Sequence, residues 1–234
     1  MKTSKLWVAG AIALAACVFS ACGESGNGGS SSNLLTDGPL GELPAVAGKY
    51  LPEINELQEQ RWHTSSEENR EKIAKKEDAL KAEWDAASKA LPSLEGREIP
   101  FEAAEGVPVR PETNLKITNV TIGDDHVTIV ARTTAVLTEN VKFSDVSKYV
   151  LVALDRKGKP ITLDGHGQAW GGKDQDIDWK AEIYREGAVG KVQFNTNKKD
   201  IHENAEGWAN LAKVVIMDKE SEAYKQIVAE AETE

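Results

Sequence analysis

Cysteine is scarce in this 234-residue chain. The two cysteines, Cys17 and Cys22, both lie near the N-terminus, so residues 23–234 contain no thiol. A structural disulfide, a thiolate metal site and a cysteine nucleophile are therefore excluded from that part of the chain.

Histidine and the compact catalytic motifs are also scarce. The four histidines, His63, His126, His166 and His202, show neither the HExxH spacing of zinc proteases nor any i, i+4 pair. No serine lies in a GxSxG turn, and abundant acidic residues alone identify no acid–base pair. The sequence predicts no cofactor and favours a non-enzymatic protein. An enzyme whose site is assembled from distant segments remains an open alternative.

An apolar stretch near the N-terminus indicates a targeting signal. Lys2 and Lys5 precede an uncharged run over residues 6–21, and a Gly/Ser-rich stretch follows Cys22. A basic start, a short apolar core and small residues at the boundary predict a secretory signal. With its boundary cysteine, the segment resembles the lipobox of bacterial lipoproteins. The resemblance implies cleavage before a cysteine that carries an acyl lipid such as palmitate, and hence an exported protein anchored to the cell membrane or outer membrane.

Two cysteines fit this role. The letters LAAC end at Cys17 and match the lipobox pattern better, whereas FSAC ends at Cys22 and lies directly before the polar stretch. Composition on either side of the boundary favours Cys22 as the lipid attachment site, with Cys17 as the alternative. An uncleaved anchor is a third interpretation, because residues 6–22 form a run of 17 residues, at the short edge of a bilayer span.

The predicted organisation has five parts. They are a signal peptide (1–21), a flexible tether (22–48), a helical segment (49–92), a β-sandwich domain (93–218) and a C-terminal helix (219–234). Cleavage would remove two lysines and leave 26 basic residues against 38 acidic ones, a formal net charge of −12. This acidic excess disfavours nucleic acid and anionic lipid headgroups as partners, since both require a basic face.

The helical segment is predicted to form two helices separated near residues 63–66. Thr64 and Ser65 both have the spacing of a capping residue for the second helix. An apolar seam runs along one face of the second helix and is interrupted by Glu77. The seam consists of Ile73, Leu80, Trp84, Ala87 and Leu91. Trp62 and Trp84 are predicted to be core residues. The short seam favours a hairpin packed on the neighbouring domain over a coiled-coil site for a partner.

The period of the pattern changes to two after residue 92, which predicts strands. Apolar residues alternate with other residues over 127–137, which predicts a long strand. In the strand before it, the apolar residues change phase, and a bulge near Asn119 would reconcile the two phases. Residues 149–154 are apolar throughout, which is typical of a central strand covered on both faces. About eight short strands joined by turns indicate a mainly antiparallel sandwich. In pattern this part resembles immunoglobulin-like sandwiches, although it lacks their Cys…Trp…Cys signature. The predicted core includes Val127, Ile129, Leu151, Trp179, Ile183 and Phe194.

One glycine-rich loop is the predicted ligand site. Residues 164–178 show no apolar periodicity, and Trp170 lies among glycines that leave it without a face to pack against. The polar residues predicted to surround this tryptophan are His166, Gln168, Lys173 and Asp174. A tryptophan folded back over the sandwich is the alternative. Asp174, Asp176 and Asp178 match positions one, three and five of a calcium-binding loop. The glycine expected at position six and the glutamate expected at position twelve are missing, so no metal is predicted.

These features together favour a non-enzymatic binding or adaptor lipoprotein of the cell envelope. Its expected partners are the membrane, through the N-terminal lipid, and an envelope protein or glycan. An envelope-polymer hydrolase or transferase and a structural subunit of an envelope complex are the alternatives.

Overall fold

Five helices and nine strands in two sheets form the part of the chain that the structure describes. The computed structural model covers residues 38–142, 148–161 and 185–231, and the backbone of 177–179. The helices are α1 (Leu43–His63), α2 (Glu67–Lys89), α3 (Asp200–Glu203), α4 (Ala205–Ala209) and α5 (Glu222–Ala231). The strands are β1 (Glu98–Ile99), β2 (Phe101–Ala103), β3 (Val109–Pro111), β4 (Leu115–Ile122), β5 (Val127–Leu137), β6 (Tyr149–Asp155), β7 (Ile177–Trp179), β8 (Val189–Asn195) and β9 (Leu211–Asp218).

The strands form a six-stranded and a three-stranded sheet. The larger sheet has the order β1-β4-β5-β8-β7, with β3 also on β5, and all its pairings are antiparallel. In the smaller sheet, β9 lies between β2 and β6; it pairs parallel with β2 and antiparallel with β6. The predicted α+β class, with a helical hairpin, a mainly antiparallel and sandwich-like pair of sheets, and a closing helix, is confirmed.

The smaller sheet is buried on both faces. Leu151 and Ala153 of β6 belong to the main core, whereas Val152 and Leu154 join a second cluster with Tyr224 of α5. The continuous apolar sequence of β6 follows from this two-sided burial, as predicted. Its position was predicted wrongly, because β9 and not β6 is the central strand of this sheet.

The main core holds the predicted apolar residues whose side chains are described. Val127, Ile129 and Leu151 are fully buried, and Phe194 packs on Trp208 with ring centroids 6.2 Å apart. The side chains of Trp179 and Ile183 lie outside the described residues.

The predicted bulge in β4 is confirmed. The register against β5 shifts between Ile117 and Asn119. The extra residue keeps Val120 and Ile122 on the same face of the sheet as Leu115 and Ile117, since side chains alternate along a regular strand. The last two residues of this face consequently reach the edge of the sheet beside the hairpin.

Helix α1 begins earlier than the sequence indicated. It starts at Leu43, inside the predicted tether, and the buried residues Leu43, Ala47 and Tyr50 extend its apolar stripe toward the N-terminus. Leu40 is also buried, so the tether prediction is wrong from Gly38 to residue 48. Burial of this stripe outweighs the weak helical character of a Gly- and Pro-containing segment.

The hairpin packs on the sandwich, as the sequence favoured. Trp84 is buried, its ring lies 6.4 Å from that of Tyr50, and its indole N–H donates to the Gly123 carbonyl at 2.8 Å. Leu80, Ala87 and Leu91 are partly buried against the main core. The helix cap was predicted one or two residues too early, because the Ser66 hydroxyl accepts the Asn69 N–H.

No helix within the described ranges combines the length and apolar character needed to cross a membrane. All the described residues belong to one compact unit, which contains the core residues of both clusters.

Candidate functional site

The predicted site residues lie outside what the structure describes. This applies to both cysteines and to almost all of the loop at 164–178, of which only the backbone of the last two residues is described. The predicted residues concerned are Cys17, Cys22, His166, Gln168, Trp170, Lys173, Asp174, Asp176 and the side chain of Asp178. Their predicted roles stay predictions.

A cleft that the sequence did not indicate lies between the hairpin and the larger sheet. It encloses about 380 Å³ where the start of α1, the end of α2 with the loop after it, and the end of β4 meet. Its apolar lining is aliphatic or proline throughout and consists of Leu43, Leu91, Pro92, Leu94, Val120 and Ile122. Both the volume and the mostly apolar wall fit the usual character of small-ligand sites.

The bulge in β4 places the floor of this cleft. Val120 and Ile122 pair with Ile129 and Val127, and they continue the core-facing row of β4 beyond the edge of the main core. Ile122 is therefore left 42% exposed, although its neighbours Leu115 and Ile117 are buried. An aliphatic side chain exposed inside a concave surface is apolar area that a ligand would remove from water.

The loop after α2 forms one wall and is held firmly by backbone hydrogen bonds. The N–H of Gly96 donates to Ile117 at 2.8 Å, and the N–H of Ile117 donates to Arg97 at 2.8 Å. Gly96 has a φ of +86°, which a residue with a side chain adopts only at a cost. Leu94, which is buried within the loop, accepts the Arg97 N–H at 3.0 Å. The sheet thus holds the backbone of Arg97, whose exposed side chain also lines the cleft.

The side chain of Arg97 lies against Gly41, across the start of α1. Gly41 has a φ of +54°, and a Cβ built on it would stand 2.9 Å from the Arg97 Nη1 atom. A side chain at position 41 would displace the end of the flexible Arg97 side chain, and the positive φ would strain it as well. Two carboxylates, Glu42 and Glu95, also line the cleft. Within the described part of the chain, neither pairs with Arg97 in a salt bridge.

A second polar cluster links the hairpin, the turn after β4 and helix α3. The Nδ2 atom of Asn55 lies 2.9 Å from His202 Nε2 and donates to the Asp125 carbonyl at 3.4 Å. His126 Nδ1 lies 2.6 Å from Asp125 Oδ1, and this hydrogen bond holds the pKa of Asp125 below its ordinary value. Burial lowers the pKa of His202 and raises that of Asp200 on the same helix.

This cluster bears on the enzyme alternative. It does place a histidine beside a carboxylate, as an acid–base site would require. Among the described residues, however, no hydroxyl group is hydrogen-bonded to His126, and neither Asp125 nor His126 lines the aliphatic cleft. The pair instead supports the turn on which Trp84 docks. The described contacts therefore supply no nucleophile for it.

Trp62 is exposed, so its predicted place in the core is wrong. It lies near the end of α1 and is 84% exposed, the largest exposure of any large apolar side chain in the described part of the chain. The apolar stripe of α1 runs through Ile54 and Leu57, and one turn further it reaches Arg61 rather than Trp62. The tryptophan consequently lies beside the stripe and projects from the tip of the hairpin.

No protein-family model, curated protein or solved structure matches the chain. The lipobox and the immunoglobulin-like pattern therefore stay predictions from the sequence. Function has to be argued from the geometry of the described residues.

Proposed function

We propose that this protein is a lipoprotein of the cell envelope that binds a small, largely aliphatic ligand in the cleft between the hairpin and the larger sheet. The N-terminal signal and boundary cysteine support export and membrane anchoring. The single observation that carries the binding role is the exposed Ile122 in the floor of a cleft whose apolar lining is aliphatic or proline. Burying exposed apolar area contributes about 25 cal/mol per Å², so a ligand that covers this floor gains affinity there.

The size of the cleft limits the ligand. A volume of about 380 Å³ lies near the lower end of the range of roughly 300–1,000 Å³ that is usual for small-ligand sites. The aliphatic wall favours an alkyl chain or a branched aliphatic side chain over a polar sugar. The cleft therefore fits a lipid-like or apolar peptide fragment better than a glycan.

Methyl NMR spectroscopy tests this function directly. The described residues belong to one compact unit, so a fragment that contains all of them, Ser32–Glu234, can be titrated with 1-decanol, a neutral aliphatic probe. We expect the methyl resonances of Leu91, Leu94 and Ile122 to shift together in a saturable way. Val189, which is 50% exposed but does not line the cleft, is the internal control. Shifts confined to Val189, or none at all, would contradict the proposal.

An adaptor role is the second candidate, and the exposure of Trp62 favours it. Tryptophan and arginine are enriched among residues that dominate protein interfaces, and Arg61 and Arg70 line a shallow groove with Trp62. Site-specific photo-crosslinking from position 62 in intact cells tests this role. A discrete crosslinked partner that is missing when the crosslinker is moved to the exposed residue Glu95 would support it. Identical products from both positions would count against it.

A further inference from the structure

The outer face of the larger sheet is basic, although acidic residues outnumber basic ones by 38 to 28 in the whole chain. Strands β3, β4, β5 and β8 contain neither aspartate nor glutamate. Each contributes one exposed cation that alternates with core-facing residues and so faces away from the core. The four cations are Arg110, Lys116, Arg132 and Lys191. We propose that this face binds an acidic polysaccharide through carboxylates spaced along its chain.

The first argument is the register of the three central strands, which brings like charges together. Lys116 of β4 stands directly opposite Arg132 of β5. Lys191 of β8 stands opposite Thr134, the second residue after Arg132. Neighbouring strands lie about 4.7–4.9 Å apart, so the three cations form a diagonal row roughly 10 Å wide. Like charges that stand directly opposite each other destabilise an antiparallel sheet, and no carboxylate of the described residues forms a salt bridge with any of the three. An anion bound between them would offset this repulsion.

The second argument is that Arg132 is held in place by side chains on both neighbouring strands. Its Nε–H donates to Gln193 Oε1 at 2.7 Å, and its Nη1 atom donates to the Thr118 hydroxyl at 3.1 Å. Both partners are neutral, and a guanidinium carries five N–H donors in a planar fork. The guanidinium is therefore positioned while its charge stays uncompensated within the described part of the chain. Charge-assisted hydrogen bonds to a carboxylate are stronger than those to neutral acceptors.

The third argument concerns two carboxylates on the rim of this face. Glu98 of β1 stands opposite Lys116 in the register, and Glu112 follows β3. Glu98 Oε2 accepts a hydrogen bond from the Asn114 amide at 3.0 Å. Glu112 Oε2 accepts one from the Thr134 hydroxyl at 2.6 Å. Neither carboxylate forms a salt bridge with a described cation, so the centre of the face keeps its positive charge.

Strand β7 forms the opposite rim. Its Asp178 stands opposite Lys191 in the backbone register, and the Asp178 side chain lies outside the described residues. Lys116 and Arg132 lie on strands farther from this rim, because β8 separates β5 from β7. The proposed contact is therefore centred on Lys116 and Arg132.

Uncharged hydrogen-bonding groups share the outer face with the cations. They are Thr118, Thr121, Thr128, Thr134 and Gln193. Hydroxyl and amide groups both donate and accept hydrogen bonds, which suits the hydroxyl groups of neutral sugar units. A basic centre with carboxylates on its rim favours a polymer that has neutral units between its charges. Double-stranded DNA carries one charge per about 1.7 Å of its axis, so it would place phosphates against the rim carboxylates.

Calorimetric titration of fragment Ser32–Glu234 in low salt tests the proposal. The probes are a hyaluronan decasaccharide, in which every second sugar carries a carboxylate, its uncharged methyl ester, and a DNA oligonucleotide of equal total charge. We expect the decasaccharide to bind. The ester should bind at least about tenfold more weakly, because only the charged form gains charge-assisted hydrogen bonds.

Two double variants locate the contact. Lys116→Gln with Arg132→Gln should lower the affinity for the decasaccharide by at least about tenfold. Arg156→Gln with Lys157→Gln is the matched control, because it removes the same two residue types from exposed positions outside this face. The control should retain the wild-type affinity. If the first double variant melts earlier than the wild type, Lys116→Gln alone decides, because Lys116 makes no hydrogen bond or ion pair with a described residue. Its affinity should fall by at least about threefold.

The outcomes are distinct from those of the cleft. A loss of affinity confined to the variants of this face supports the assignment. No binding of the decasaccharide, equal binding of the ester, or equal losses in the two double variants would overturn it. Tighter binding of the DNA oligonucleotide would assign the face to nucleic acid and would also overturn it. Decanol affinity should be the same in all these proteins, since none of the substituted residues lines the aliphatic cleft.

Discussion

Arg61 of α1 and Glu77 of α2 form an ion pair of 2.9 Å that joins the two helices of the hairpin. Glu77 is fully buried, and Lys81 contacts its other carboxylate oxygen at 2.7 Å. The two cations therefore compensate the burial of the Glu77 carboxylate by charge. The apparent interruption of the apolar seam is thus a buried carboxylate between two cations.

Breaking this pair should weaken the fold. Arg61→Met leaves the buried Glu77 carboxylate with Lys81 alone, and we expect the free energy of unfolding to fall by about 1–2 kcal/mol. This is below the usual cost of a broken buried pair because Arg61 itself is 41% exposed. Urea denaturation measures the loss. Lys72→Met removes the exposed pair with Glu68 and should cost less than about 0.5 kcal/mol. Equal losses for the two variants would contradict the assignment.

Acid should destabilise the fold through His202. Its Nε2 accepts from Asn55, and burial lowers its pKa, so the unfolded chain binds the proton more tightly than the folded one. Stability contributed by neutral His202 is therefore present above about pH 6.5 and is lost as the pH falls toward the lowered folded-state pKa. Asp200 has the opposite effect at lower pH, because its raised pKa favours the protonated form in the fold.

Thermal denaturation between pH 7.5 and 5.5 checks this expectation. His202→Gln cannot be protonated, so its melting temperature should fall less over this range than that of the wild type. His63→Gln changes an exposed histidine and should retain the wild-type dependence. A His202→Gln variant that loses as much stability as the wild type would show that other groups control the acid response.

Gly41→Ala should disturb the mouth of the cleft. The new Cβ would meet the Arg97 guanidinium, and a positive φ at alanine costs about 1 kcal/mol. Gly106→Ala is the matched control, because Gly106 also has a positive φ but no atom lies within 4 Å of the point that its Cβ would occupy. Both variants should lose similar stability, measured by urea denaturation. Only Gly41→Ala should weaken decanol binding, because Gly41 lines the cleft and Gly106 does not. Equal affinities would show that the Gly41–Arg97 contact does not shape the site.

The lipid anchor provides a prediction that is independent of the cleft. If Cys22 is the acylated residue, Cys22→Ala should release the protein from membranes or leave an unprocessed precursor, whereas Cys17→Ala should be processed normally. Mass spectrometry of the mature N-terminus measures this. An acylated residue 17 would show that the better lipobox match outweighs the polar sequence after Cys22.

The sequence predicted the fold correctly where a local pattern of apolar residues reflects burial on one or both faces of an element. The β4 bulge, the two-sided burial of β6 and the packed hairpin followed from spacing alone. The sequence did not predict the burial of Leu43 and Glu77 or the exposure of Trp62, because these depend on contacts between segments. The cleft is the clearest example, because Gly41, Arg97 and Ile122 come from three separate segments. No local pattern marks residues that meet only after folding.

Paired substitutions on two exposed aliphatic residues test the central claim that the cleft is a binding site. Ile122→Asp places a charge on the cleft floor, whereas Val189→Asp places the same charge on an exposed aliphatic position outside it. Decanol affinity is measured calorimetrically for both variants, and their melting temperatures are compared with that of the wild type. We predict that both variants remain folded and that only Ile122→Asp loses decanol binding, by at least about tenfold. Unchanged decanol affinity in a folded Ile122→Asp variant would contradict the account.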